Sequence, residues 1–170
     1  MTTRFRSEQA FPGASPRDVG ALLVDPEFQS RVELPDLSLP EVVAHERDGD
    51  VTVLKLRYAY TGQLDPIARK LLGNRTLSWA QELRLDLRAG RGELTFAAEA
   101  DPSRLHGRAE VTLRAEGDGD AGTRRRFDGE LAVKAPVVGG MAERRIVPGL
   151  LRRLDVEADA VRAHLARPVP

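Results

Sequence analysis

Over most of the chain hydrophobic and polar positions alternate with a period of two, and the phase of that alternation gives each residue a face. Residues 3–11 set Phe5, Ser7, Gln9 and Phe11 against Arg4, Arg6 and Glu8, the pattern of a half-buried strand. Pro12-Gly13 ends it. Ser15-Pro16-Arg17-Asp18 then supplies a capping serine, a first-turn proline and an early acid before Val19, Leu22 and Leu23, so a short helix starts there. Asp25-Pro26 repeats the signal for a second short helix through about Val32, and Pro35 and Pro40 end any helical continuation.

From about residue 41 the pattern is one of strands separated by turns. Asp48-Gly49-Asp50 predicts a hairpin, after which Thr52, Leu54, Leu56, Tyr58 and Tyr60 share a face. Asp65-Pro66 to Gly73 carries a cap, a first-turn proline and a closing glycine, and predicts a short helix over 66–72. Strands are expected to resume at Arg75. The run 75–88 alternates most regularly, with Leu77, Trp79, Gln81, Leu83, Leu85 and Leu87 on one side. Three further strands follow: 93–100 with Leu94, Phe96 and Ala98 inward, 105–115 with Leu105, Gly107, Ala109, Val111 and Leu113 inward, and 125–135 with Phe127, Gly129, Leu131 and Val133 inward. Successive hairpin-spaced strands imply an antiparallel sheet.

The period changes near Gly140. Val147, Leu150, Leu151, Leu154, Ala158, Val161 and Leu165 recur at three- and four-residue steps up to about Ala166, which predicts an amphipathic helix with one face against the sheet. Pro148-Gly149 inside it predicts a kink or break near 145–149. The fold class is therefore α+β, a single domain over residues 1–170.

Strand, two short helices, a series of antiparallel strands and a long terminal helix is the element order of the helix-grip fold of the START-like (SRPBCC) superfamily. In detail the chain resembles an actinobacterial family within it, domain of unknown function family 2505. The resemblance rests on Phe5, Glu8 and Phe11-Pro12, on Ser15-Pro16 to Asp25-Pro26-Glu27-Phe28, and on Lys134-Ala135-Pro136-Val137-Val138-Gly139-Gly140 with Glu143. It covers the whole chain, and its motifs are turns and caps rather than catalytic residues; Pro148-Gly149 departs from the uninterrupted helix of the pattern. The resemblance implies a curved antiparallel sheet of six to seven strands wrapped around the terminal helix. It also implies a cavity between them for lipids, sterols, polyketides or isoprenoids.

Composition narrows the chemistry. The 170 residues hold 26 basic and 26 acidic side chains, 41% hydrophobic residues and no cysteine. A core of this size needs no disulfide or structural metal, and thiol chemistry is excluded. Zero net charge argues against nucleic-acid binding, which draws on a surplus of Lys and Arg. No apolar run is long enough to span a membrane or to serve as a signal peptide, so a cytoplasmic location and no integral membrane contact are expected.

Motif searches give turns. Gly117-Asp118-Gly119-Asp120-Ala121-Gly122 fits the spacing of a dinucleotide loop but lies between two strands, and its acids would repel phosphate. His45, His106 and His164 stand on different elements without ligand spacing, and His106 falls on the solvent face with Arg108 and Glu110. No metal or cofactor is expected. Arg124-Arg125-Arg126 has Asp128 and Glu130 nearby to balance it; Arg125 shares the inward parity of Phe127 and Leu131, and at a strand end it is expected to reach out to water.

Polar residues with inward parity carry the functional reading. Ser7, Gln9, Thr52, Tyr58, Tyr60 and Gln81 sit beside Trp79, Phe96 and Phe127, and an apolar wall with a few placed polar groups is how ligand pockets are built. The candidate lining is Ser7, Gln9, Leu54, Leu56, Tyr58, Tyr60, Trp79, Gln81, Phe96, Phe127, Leu150 and Leu154. Inward Gly107, Ala109 and Gly129 leave room for a void or bend the sheet. The leading expectation is non-catalytic binding of a hydrophobic small molecule or lipid, entering past helix 66–72 or the start of the last helix. Two alternatives stand beside it: a cyclase or dehydratase using Tyr58, Tyr60 or an inward carboxylate, and a packed core whose outer surface docks a protein. Parity alone places no Asp, Glu or His in the pocket.

Overall fold

The computed structural model describes residues 2–118 and 121–168. The elements are β1 (Thr3–Pro12), α1 (Pro16–Leu23), α2 (Pro26–Gln29), β2 (Glu41–Asp48), β3 (Val51–Ala59), α3 (Pro66–Leu72), β4 (Ser78–Asp86), β5 (Arg91–Ala98), β6 (Leu105–Ala115), β7 (Gly122–Val133) and α4 (Gly139–Leu165). The seven strands form one curved antiparallel sheet in the order β1-β7-β6-β5-β4-β3-β2. From β2 to β7 each strand pairs with the next in the chain, and β1 closes beside β7 with Phe5 opposite Gly129 and Gln9 opposite Arg125. No described helix is long and apolar enough to cross a membrane.

The short helices begin where side chains cap them. Ser15 Oγ accepts from the Asp18 N–H at 3.1 Å, and Asp25 Oδ1 accepts from Glu27 and Phe28. A third cap, Asp65, accepts from Ala68 at 2.8 Å, and that N–H, with the Arg145 guanidinium, holds its carboxyl below the usual range. Each cap satisfies N–H groups that a helix start otherwise leaves open. α1 turns Val19, Leu22 and Leu23 into the core.

Some boundaries differ from the sequence reading. α2 ends at Gln29 rather than Val32, because the chain leaves helical geometry in a turn that buries the Gln29 side chain against the Leu22 carbonyl. β4 starts at Ser78 rather than Arg75, and β7 starts at Gly122, three residues before the expected Arg125. In the turn before β7 the Glu116 N–H bonds the Gly122 carbonyl; Gly119 and Asp120 of the glycine-rich motif lie outside the described residues.

α4 carries through Pro148 without the expected break. Pro148 and Arg144 are on the exposed side, so the carbonyl that loses its donor faces water, while Ile146, Val147, Leu150 and Leu151 pack on the core on either side of the proline. The start of α4 is anchored instead by Glu143, which is fully buried. It accepts from Thr3 Oγ1 at 2.7 Å and from the Val133 N–H at 2.9 Å, tying the helix to both β1 and β7. The preceding Val137 has φ +70 and is fully exposed, a conformation unfavourable for a β-branched residue.

Candidate ligand pocket

Inward faces of β3, β4, β5 and β6 look at α4 across the core, and a cavity of ≈ 90 Å³ remains between them. Its apolar wall comes from Leu77 and Trp79 near β4, Phe96, Leu105 and the α4 residues Ile146, Leu150 and Leu154. Leu34 and Leu37, from the strap that joins α2 to β2, close it from outside. The strap is held on the end of β3 by Ser38 N–H to the Ala59 carbonyl at 2.9 Å and Thr61 N–H to the Asp36 carbonyl at 2.9 Å.

Four polar side chains reach this space: Tyr58, Gln81, Arg153 and Glu157. Tyr58 stacks on Trp79 with ring centroids 5.8 Å apart. Burial, reinforced by the nearby Glu157 charge, pushes the Tyr58 phenol well above its ordinary range, so it stays protonated at neutral pH. The Arg153 guanidinium lies 5.6 Å from the centre of the Trp79 ring.

Of the twelve residues expected to line the pocket, six come together there: Tyr58, Trp79, Gln81, Phe96, Leu150 and Leu154. Leu54 and Leu56 are buried in the core, and Tyr60 sits at the rim, its hydroxyl donating to the Gln63 carbonyl at 3.3 Å. Ser7, Gln9 and Phe127 belong to a different assembly centred on Arg125. Arg125 is not the solvent-seeking end residue expected from the sequence; it is completely buried. Its Nε donates to Gln9 Oε1 at 3.0 Å, one terminal nitrogen donates to the Leu154 carbonyl at 2.9 Å, and the other pairs with Glu157. The guanidinium rests 4.7 Å from the Phe127 ring centre. Gln9 Nε2 in turn donates to Ser7 Oγ at 2.6 Å and to Asp155 Oδ1 at 3.0 Å.

The inward glycines leave no void. A Cβ on Gly107 would stand 2.3 Å from the Phe96 ring, which already covers it, and one on Gly129 would stand 2.4 Å from the Arg108 carbonyl oxygen. They permit close packing of ring on backbone and strand on strand. Sequence reasoning also missed Arg153 and Glu157; both lie one helical turn from Leu150 or Leu154, and that spacing was the available signal.

A larger concavity, ≈ 540 Å³, lies on the opposite sheet face among Lys55, Glu82, Thr95, His106, Arg108 and Glu130. Its charged walls and position on the outer face make it the weaker candidate for an apolar ligand. His106 is half-buried there, with Nδ1 lacking a partner. Elsewhere on this face the basic run is compensated: Arg124 pairs with Glu8 and Glu116, and Arg126 with Asp128. Among the described residues no three His, Asp or Glu side chains are arranged to hold a metal.

The architecture recurs in solved structures. A protein of Thermus thermophilus aligns with a TM-score of 0.64 at 19% identity, over 96% of this chain and 97% of that one. The Zhui aromatase/cyclase of Streptomyces sp. R1128 gives 0.59 at 12% over 96% and 93%, and norcoclaurine synthase from Thalictrum flavum gives 0.64 at 16% over 99% and 88%. These likenesses are of fold. No curated protein matches the sequence. The family model described as "Protein of unknown function (DUF2505)" matches residues 7–165, nearly the whole length on which the strand, cap and helix motifs lie. The chain belongs to this family, and it takes the helix-grip fold.

Proposed function

We propose that the protein binds a hydrophobic small molecule or lipid, without transforming it, between α4 and the inner face of the sheet. The observation that carries this reading is the pocket itself: a mostly apolar wall, four polar side chains from sheet and helix, and Leu34 and Leu37 of the strap over it. Two of the structures of like fold bear enzyme names, and norcoclaurine synthase has been crystallised with dopamine and hydroxybenzaldehyde, so the fold accommodates small aromatic molecules.

At ≈ 90 Å³ the closed cavity is smaller than the roughly 300 Å³ at which drug-sized sites begin. Binding therefore entails opening, and the strap carrying Leu34 and Leu37 is the segment that would move. Its ties are an exposed ion pair from Arg152 to Asp36 at 3.3 Å, a long bond from Arg153 to the Pro35 carbonyl, the Ser38 hydroxyl accepting from the Ala59 N–H at 3.0 Å, and the backbone bonds to β3.

The enzyme alternative gains a carboxylate from Glu157, which lines the pocket beside Tyr58. That carboxylate is already paired with the buried Arg125, and burial keeps the proton on Tyr58, so neither side chain is free to take a proton from a substrate.

Native mass spectrometry of the protein purified from its own host, followed by denaturation and extraction, tests the proposal. A stoichiometric apolar adduct, lost from a Leu150→Trp variant that fills the pocket, is the expected result. A mass equal to the bare chain, together with no response of Trp79 fluorescence to any apolar probe, would refute it.

A further inference from the structure

We propose that the ligand is a carboxylate, its apolar body in the pocket and its head group on the guanidinium of Arg153. The inference rests on the binding reading above and adds the charge of the ligand. It comes from the way the charges around the pocket are matched.

Two arginines, Arg125 and Arg153, are buried or partly buried beside the same space. Arg125 is answered on every side, by Gln9, the Leu154 carbonyl and Glu157. Arg153 is not. Among the described residues no carboxylate lies within ion-pair distance of it, and its bond to the Pro35 carbonyl is long, at 3.5 Å. The acids that could serve are taken: Asp36 by Arg152 at 3.3 Å, Glu157 by Arg125, and Asp155 by the Gln9 amide. Arg153 is left with the face of Trp79 and a pocket edge.

A guanidinium in this position carries an energetic cost that an anion would relieve. Burial lowers the pKa of Arg153, the direction of a cation short of solvation. Its planar fork matches two oxygens in a plane, and a single negative charge equals the single unmatched positive one. A phosphate monoester brings nearly two charges and a larger hydrated head into a space with one cation, which favours the carboxylate. The chain length bound is set by how far the strap opens.

Trp79 is the one tryptophan of the chain and touches the proposed head-group site, so its fluorescence reports occupancy. Dodecanoate, dodecanol and dodecyl phosphate, each below its micelle concentration at neutral pH, are titrated into the full chain and into Arg153→Gln. Dodecanoate is expected to bind about ten- to hundredfold more tightly than dodecanol, the usual worth of hydrogen bonds to a charged group. Arg153→Gln should bring the affinities for acid and alcohol together, while Arg153→Lys keeps part of the difference. Equal binding of acid and alcohol to the unmodified protein would overturn the carboxylate assignment while leaving the apolar pocket intact. Tighter binding of dodecyl phosphate than of dodecanoate would overturn it as well. Failure of all three probes to bind would overturn the binding reading and this inference together.

Discussion

The Arg125–Glu157 pair provides a measurement whose outcome the geometry fixes in sign as well as size. The Arg125 side chain has no exposure, whereas the Glu157 side chain retains 15% on the pocket side. Glu157→Leu therefore strands a cation with no path to water, at a cost of about 3–5 kcal/mol. Arg125→Met leaves a carboxylate that can be rehydrated through the pocket, and the Gln9 carbonyl oxygen without its donor. We expect about 2–3 kcal/mol for it. The double variant removes both charges at similar volume and should cost only about 1–2 kcal/mol, so the pair couples by roughly 5 kcal/mol.

Urea unfolding followed by far-UV circular dichroism gives all four corners of this cycle. For a chain of this length Glu157→Leu should also lower Tm by about 10 °C, taking about 2–4 °C per kcal/mol. Additive costs, within about 0.5 kcal/mol, would show that the pair is not formed in solution. A larger loss for Arg125→Met than for Glu157→Leu would show that Arg125 is the better hydrated partner, contrary to the reasoning from exposure.

Gly129→Ala would set a Cβ 2.4 Å from the Arg108 carbonyl oxygen, so it should destabilise the β6–β7 hairpin by about 1–3 kcal/mol, readable by thermal melting. Glu143→Leu leaves the half-buried Val133 N–H and the Thr3 hydroxyl without their acceptor. A loss of about 2–3 kcal/mol is expected, with faster hydrogen exchange at the start of α4. Tyr58 is neutral in the folded chain far above the pH of about 10 at which a free phenol ionises. Above that pH the unfolded state binds fewer protons, so stability is complete below it and falls as pH rises. In a Tyr60→Phe variant, phenolate absorbance should rise only as the chain unfolds; a reversible titration of folded protein near the free value would contradict the burial.

Strand faces were legible because a period of two leaves a binary choice, and register then follows from the buried face. That is why spacing alone sets Tyr58, Trp79, Gln81 and Phe96 on one face, where the sheet register also puts them. Helix rotation is less constrained. α4 offers a broad apolar arc from Val147 to Leu165, and whether Arg153 or Glu157 falls at its margin depends on how the helix lies across β1 and β7, a tertiary property. Arg125 shows the same limit from another side. Its parity was right, but β7 begins at Gly122, so the residue lies within the strand rather than at its end and cannot turn out to water. An inward Gly107 is compatible with a void or with a bend in the sheet, and the ring of Phe96 occupies the space it leaves; sequence spacing specifies faces and not the rotamers that set a volume.

These misreadings share a physical cause that also locates the site. The expected lining treated the inner sheet face as one surface, yet a polar chain from Ser7 through Gln9 and Arg125 to Glu157 crosses from sheet to helix and fills one end of it. Such a chain is stable when buried only if each member finds a partner, and here each does. Its consequence is that apolar space survives at the other end, between Trp79 and Leu150, where the strap covers it. Glu157 forms the boundary, with Arg125 behind it and the pocket in front. Because Arg125 engages that carboxylate, Arg153 on the pocket side has no acid of its own among the described residues, and the packing that closes one end of the cavity also fixes the charge at the mouth of the other.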